Sequence, residues 1–156
     1  MANQLNLNVQ IQGETATISL SGVINEDAQF DKIQSLNLKK YIFDFDKITL
    51  INSCGIRDWI KFLQSLGSVE IQYENCPQII IEQINMVHGF ITPNTKITTF
   101  YAPYFCDKCD AEKKIKLKAS DILMGKAPVE TCPNCKDILE FDALEKQYFH
   151  FLSQMK

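Results

Sequence analysis

Between Tyr41 and Gly67 the chain reads Y-I-F-D-F-D-K-I-T-L-I-N-S-C-G-I-R-D-W-I-K-F-L-Q-S-L-G, and the apolar spacing changes from that of a strand to that of a helix within this run. Tyr41, Phe43 and Phe45 alternate with Ile42, Asp44 and Asp46, and Ile48, Leu50 and Ile51 prolong the apolar stretch. This predicts a strand buried over most of its length. It stops at Asn52-Ser53-Cys54-Gly55. Ile56, Trp59, Ile60, Leu63 and Leu66 then fall on one helical face, Arg57, Asp58, Lys61 and Gln64 on the other, and Gly67 is placed to end the helix. Asn52 or Ser53 is the expected N-cap. A helix N-terminus at the end of a strand offers unpaired N–H groups and the positive end of the dipole to a phosphate or a partner's carboxylate.

The chain's 156 residues suit a domain of about 100 residues with a small stabilised appendage. A hydrophobic content of 46% with 22% charged residues belongs to the globular class, not to disorder or fibre. The apolar runs are too short to span a bilayer, and Met1-Ala-Asn-Gln-Leu-Asn shows no basic region followed by an apolar one. The expectation is a cytoplasmic protein without membrane insertion. Its net charge of -3 argues against a surface given over to nucleic acid. Residues 1–100 carry 7 basic against 10 acidic side chains, residues 101–156 carry 9 of each, and four of the six cysteines fall in the second part. These shifts divide the chain into residues 1–101 and 102–156.

Residues 6–12 and Ala16 to Leu20 alternate as two strands of a hairpin turning at Gly13-Glu14. Glu26 to Leu36 carries Phe30, Ile33 and Leu36 at helical spacing, with acidic residues in its first turn. Val69 to Tyr73 reads as a further strand, Pro77 to Gly89 as a helix opened by proline with His88 in its last turn, and Thr95 to Tyr101 as a last strand. The order strand, strand, helix, strand, helix, strand, helix, strand predicts an α/β fold, a mixed sheet with helices packed on it.

The run Asp44-Phe45-Asp46-Lys47-Ile48-Thr49-Leu50-Ile51-Asn52-Ser53-Cys54-Gly55-Ile56 resembles the signature of the STAS family, the domain of sulphate transporters and anti-sigma factor antagonists. That signature places an Asp in the strand and, eight positions later, an Asp-Ser-Ser-Gly-Leu turn opening a helix. Asp44 and Asn52 have that spacing, and Leu20 to Asn25, L-S-G-V-I-N, resembles the end of the family's second strand. The likeness covers residues 5–101. It implies partner switching in signalling: a regulatory protein, kinase-like or sigma-regulatory, would dock on Asn52, Ser53, Cys54, Gly55, Ile56 and the following helix. In such antagonists the second serine of the turn is phosphorylated, and the added charge breaks the complex. Cys54 stands there in this chain, which leaves Ser53 as the candidate modification site.

Cys106-Asp-Lys-Cys109 and Cys132-Pro-Asn-Cys135, separated by 22 residues, are two C-x-x-C turns of the kind that complete a tetrahedral four-thiolate cage for Zn²⁺. With four protein ligands the site has no open position and is structural. Two disulfides, or a redox C-x-x-C, are the competing readings, disfavoured by compartment and by the doubled motif. The expected module is therefore a zinc ribbon. Between the knuckles Lys114, Lys116 and Lys118 share one face of a strand, where they would contact phosphates or simply guard a solvated edge. Phe100, Tyr101, Tyr104 and Phe105 are expected to pack the ribbon on the sheet. From Asp142, as N-cap with Glu145 as its capping-box partner, a helix is predicted with Leu144, Tyr148, Phe151, Leu152 and Met155 on its apolar face and His150 facing solvent.

The chain has no phosphate-cradling glycine loop, no H-E-x-x-H and only two histidines, so no enzyme is expected. The leading reading is a non-enzymatic interaction module with a structural zinc site. The alternatives are a nucleic-acid-binding ribbon, a thiol redox sensor through Cys54 or the ribbon cysteines, and an accessory subunit of a transporter.

Overall fold

The computed structural model describes residues 4–155. Five strands form the main sheet in the order β1-β2-β3-β4-β5: β1 (Leu5–Gln12), β2 (Thr15–Ile24), β3 (Lys40–Ile51), β4 (Glu70–Glu74) and β5 (Thr95–Ile97). The first pair is an antiparallel hairpin, and every later neighbour is parallel. Parallel neighbours need crossovers. These are made through α1 (Asp31–Gln34), α2 (Ser53–Leu66) and α3 (Gln78–Met86). The mixed α/β sheet predicted from element order is thus present. A second sheet, ordered β7-β6-β8, contains β6 (Thr99–Cys106), β7 (Ala111–Lys118) and β8 (Glu140–Phe141). Two short helices follow, α4 (Glu145–Tyr148) and α5 (His150–Gln154).

Tyr41, Phe43 and Phe45 are buried as one row of β3. They meet α2 through Trp59, whose ring lies 5.0 Å from Phe43 and 5.6 Å from Phe45 by centroid, and through Phe62, which sequence spacing had not placed on the inner face. The opposite row is polar, with Asn8, Ser19, Asp44 and Glu74 adjacent across four strands. Beyond Phe45 the alternation of β3 slips. Two irregularities in its pairing with β2, at Ser19/Ser21 and Gly22/Val23, change the facing of the residues that follow. Ile48 and Ile51 are buried, whereas Leu50, expected inside, is 56% exposed.

Other expectations about helix and strand limits are corrected. The helix predicted over Glu26 to Leu36 is only Asp31–Gln34, because Asn25 forms a turn instead, its side chain accepting from the Asp27 N–H and its carbonyl from that of Ala28. Phe30 and Ile33 are still buried. In α3, Pro77 is the N-cap rather than the first helical residue, and the helix ends at Met86, leaving His88 exposed beyond it. The strand predicted over Thr95 to Tyr101 is two strands. After Thr98 the chain follows the extension of β4, with Tyr101 N–H donating to the Cys76 carbonyl at 2.8 Å, and continues into the second sheet as β6. The boundary drawn at 101/102 therefore falls inside a strand.

The C-terminal helix is broken at Phe149. Tyr148, Phe149 and Phe151 point around most of a helical circumference, so one straight helix would leave a ring in solvent; the break buries all three. Their rings pack about Phe100, with Phe151 5.0 Å away, whereas the other aromatics before the first knuckle lie elsewhere: Tyr104 is buried against Phe141, the Tyr101 hydroxyl donates to Asp46 of β3 at 2.7 Å, and Phe105 is half-buried. Asp142 caps nothing, Glu145 accepts the Ala127 N–H at 2.6 Å, and Leu144 is 67% exposed. His150 is exposed, as predicted.

Candidate functional site

Two features of the sequence become defined places. The first is the cysteine cluster. Cys106 closes β6 and pairs with Ala111, which opens β7, so Cys106 to Cys109 forms the turn of a hairpin. The second knuckle is closed by a bridge between Thr131 and Ile138 and by the Cys132 N–H donating to the Asp137 carbonyl at 2.8 Å. The knuckles are built alike. In each, the residue after the second cysteine takes positive φ, 51° at Asp110 and 69° at Lys136, which turns the chain back. In the first, the Cys109 N–H points at the Cys106 sulphur at 3.4 Å. In the second, the backbone N–H groups of Cys135 and Asn134 point at the Cys132 sulphur and hold its thiol down to about 6.

The four sulphurs of Cys106, Cys109, Cys132 and Cys135 lie within 4.8 Å of one another, with Cys106 to Cys135 at 3.4 Å and Cys109 to Cys132 at 3.9 Å. Residues separated by more than twenty positions are thereby brought to one point. Cys106 and Cys132 are buried, Cys109 and Cys135 partly exposed. Thiols crowded in this way oppose one another's ionisation, and the hydrogen bonds that the neutral Cys109 thiol makes with Cys135 and then Cys106 push it up to about 12. A cation would remove that conflict, and the four cysteines are positioned to bind a metal ion. Cys54 lies outside the cluster, and Cys76 is fully buried, its thiol raised well above the ordinary value by burial and then by Asp44 and Glu74.

The second place is the turn at the start of α2. Asn52 is its N-cap, the side-chain oxygen accepting the Gly55 N–H at 2.8 Å. Its amide nitrogen donates to Glu26 at 2.9 Å, and this bond holds the Glu26 carboxyl below its usual range. The Asn52 N–H donates in turn to the Ile24 carbonyl at 3.1 Å. Gly55 is buried at this junction: a Cβ there would stand 2.2 Å from the Ile24 carbonyl oxygen. The helix start is therefore wedged on the end of β2. Asn52 and Ser53 remain exposed, and Cys54 and Ile56 are half-buried. Sequence reading left the cap between Asn52 and Ser53, and the structure assigns it to Asn52; the Glu26 partner was missed, its only signal being an acidic residue just after Asn25.

No protein-family model matches the chain, and no curated protein does. Among the described residues no helix is long and apolar enough to cross a membrane.

Gly55→Ala supplies a direct check on the wedge. The added methyl has no room, so α2 must shift off β2, and we expect a loss of roughly 1–3 kcal/mol in urea unfolding. A stability equal to wild type would mean that the junction is loose.

Proposed function

We propose that this chain is a non-enzymatic protein-interaction module, a STAS-like domain of bacterial signalling in the cytoplasm, extended by a ribbon with a structural Zn²⁺. The observation that carries the reading is the start of α2. Asn52 and Ser53 are presented to solvent on a helix of 14 residues, while Gly55, Glu26 and Ile24 hold the backbone beneath them. A rigid, exposed helix start at the end of a strand suits docking of a partner's acidic group. A kinase-like or sigma-regulatory protein is the proposed partner, and Ser53 the proposed point of modification.

The metal reading is supported by chemistry. Four thiolates on tetrahedral Zn²⁺, with bonds of ~2.3 Å, lie ~3.8 Å apart; two of the six sulphur separations, 3.4 and 3.9 Å, bracket that value, and all lie within 4.8 Å. Cys106, Cys109, Cys132 and Cys135 would hold the ion. Four protein ligands leave no water position, so the ion organises the fold and supplies no catalysis.

Ser53→Glu tests the docking surface. Charge at the contact opposes an acidic partner, so capture from the source cells, read by pull-down with native mass spectrometry, should fall at least about tenfold. Undiminished capture would remove the turn from the interface. A second reading, nucleic acid on the ribbon, rests on Lys114, Lys116 and Lys118, all exposed along β7 and without an ion pair among the described residues. It requires an affinity that collapses with added salt.

A further inference from the structure

Among the described residues four strands lie at sheet edges, and three are protected from pairing with another chain. Strand β5 has three residues and an exposed Lys96, β8 has two, and β7 carries Lys113, Lys114, Lys116 and Lys118. Short length and lysine are the usual devices against edge-to-edge association. Strand β1 has neither. It is eight residues long, L-N-L-N-V-Q-I-Q, without a charge, a proline or a register shift, and among the described residues it pairs with β2 alone. Its apolar row is also incompletely covered: Leu5, Leu7 and Val9 are half-buried and Ile11 is 53% exposed.

The side on which β1 is open follows from its hairpin. Gln12 pairs with Thr15 across the turn Gly13-Glu14, so Gln12 directs its backbone groups toward β2, and alternation makes Gln10, Asn8 and Asn6 do the same. The Gln4 carbonyl, accepting from the Val23 N–H, has the same parity. Leu5, Leu7, Val9 and Ile11 therefore turn their N–H and C=O groups outward.

We propose that this edge is the docking site for a second copy of the chain, two β1 strands joining antiparallel about a two-fold axis through Asn8. The occupant is argued from the strand's self-complementarity. In that register Leu5 faces Ile11 of the second copy and Leu7 faces Val9, apolar on apolar, while Asn6 faces Gln10 and Asn8 faces itself, amide on amide. No like charges meet, and the outward backbone groups of Leu5, Leu7, Val9 and Ile11 form the hydrogen-bonded pairs. The two five-stranded sheets become one continuous sheet, and the half-covered apolar row gains a neighbour on its open side. This surface lies on a different strand from the helix start at Asn52, and the inference does not depend on the proposed signalling role.

Sedimentation of the full chain across micromolar concentrations, with amide hydrogen exchange, tests it. Wild type should sediment as a dimer, with the N–H groups of Leu5, Leu7, Val9 and Ile11 protected. Asn8→Lys, at an exposed position, sets two like charges on the axis and should weaken self-association roughly tenfold while releasing those four amides. The register is tested separately. Asn6→Lys/Gln10→Lys should dissociate the dimer, and Asn6→Lys/Gln10→Glu should retain it, because each new charge then faces its opposite. A wild type that is monomeric throughout, a dimer indifferent to Asn8→Lys, or equal behaviour of the two double variants overturns the proposal.

Discussion

Removing the proposed Zn²⁺ with a chelator, or replacing Cys132 with serine, is expected to unfold the ribbon and leave the main sheet standing. The segment from Asp107 to Leu139 fully buries only Leu117, Cys132 and Leu139 among its hydrophobic side chains, far too little to offset the entropy of ordering it. A four-thiolate zinc site supplies ~10–16 kcal/mol of binding energy that is also folding energy. Without it, the sulphurs gathered within 4.8 Å have no reason to stay together. Native mass spectrometry should show one ion per chain in wild type and none in Cys132→Ser. In an NMR spectrum the amide signals of β7, β8 and both knuckles should collapse to random-coil positions while those of β1 to β5 persist. Loss of both sets together would show one cooperative unit, with β6 transmitting the failure. A metal-free chain retaining both would end the structural role of the ion.

The second large effect is expected at Trp59. The indole is fully buried, in ring contact with Phe30, Phe43, Phe45, Phe62 and Phe90, and its N–H donates to the Tyr73 hydroxyl at 3.0 Å. That hydroxyl donates onward to the Phe90 carbonyl at 2.6 Å, tying α2, β4 and the segment after α3 into one buried chain of hydrogen bonds. Trp59→Ala leaves a large cavity and should cost ~3–5 kcal/mol, lowering the melting temperature by roughly 10 °C. Trp59→Phe keeps most of the volume and should cost about 1–2 kcal/mol, largely from the lost donor to Tyr73. Similar losses in the two variants would mean that packing around the ring matters less than the hydrogen bond. Because Trp59 is the single tryptophan of the chain, its fluorescence in wild type reports the same core directly.

The elements of the main sheet were legible because their burial is one-sided. A row such as Tyr41, Phe43 and Phe45 against Asp44 and Asp46 carries its own period, and the parallel connections follow from the alternation of strands and helices. The cysteine centre was legible for a different reason: the ligand types and their close spacing within each knuckle are local. Legibility failed where two segments compete for the same residue. Leu50 reads as buried until the irregular pairing of β3 with β2 turns it outward. Glu145 reads as a capping partner until the Ala127 N–H, 18 positions away, takes its carboxylate. The predicted last strand splits because Thr99 and Tyr101 find hydrogen-bond partners at Cys76.

By itself the sequence determined the alternation of strand and helix, the hairpin, a helix cap at Asn52 or Ser53 and the two knuckles, all of which depend on residues a few positions apart. Tertiary structure alone decided that Gly55 is locked under the Ile24 carbonyl, that Glu26 holds Asn52, that the C-terminal helix breaks to bury three aromatic rings, and that β1 is left at an open edge. Each of these depends on what a distant segment places opposite, and local period carries no record of that.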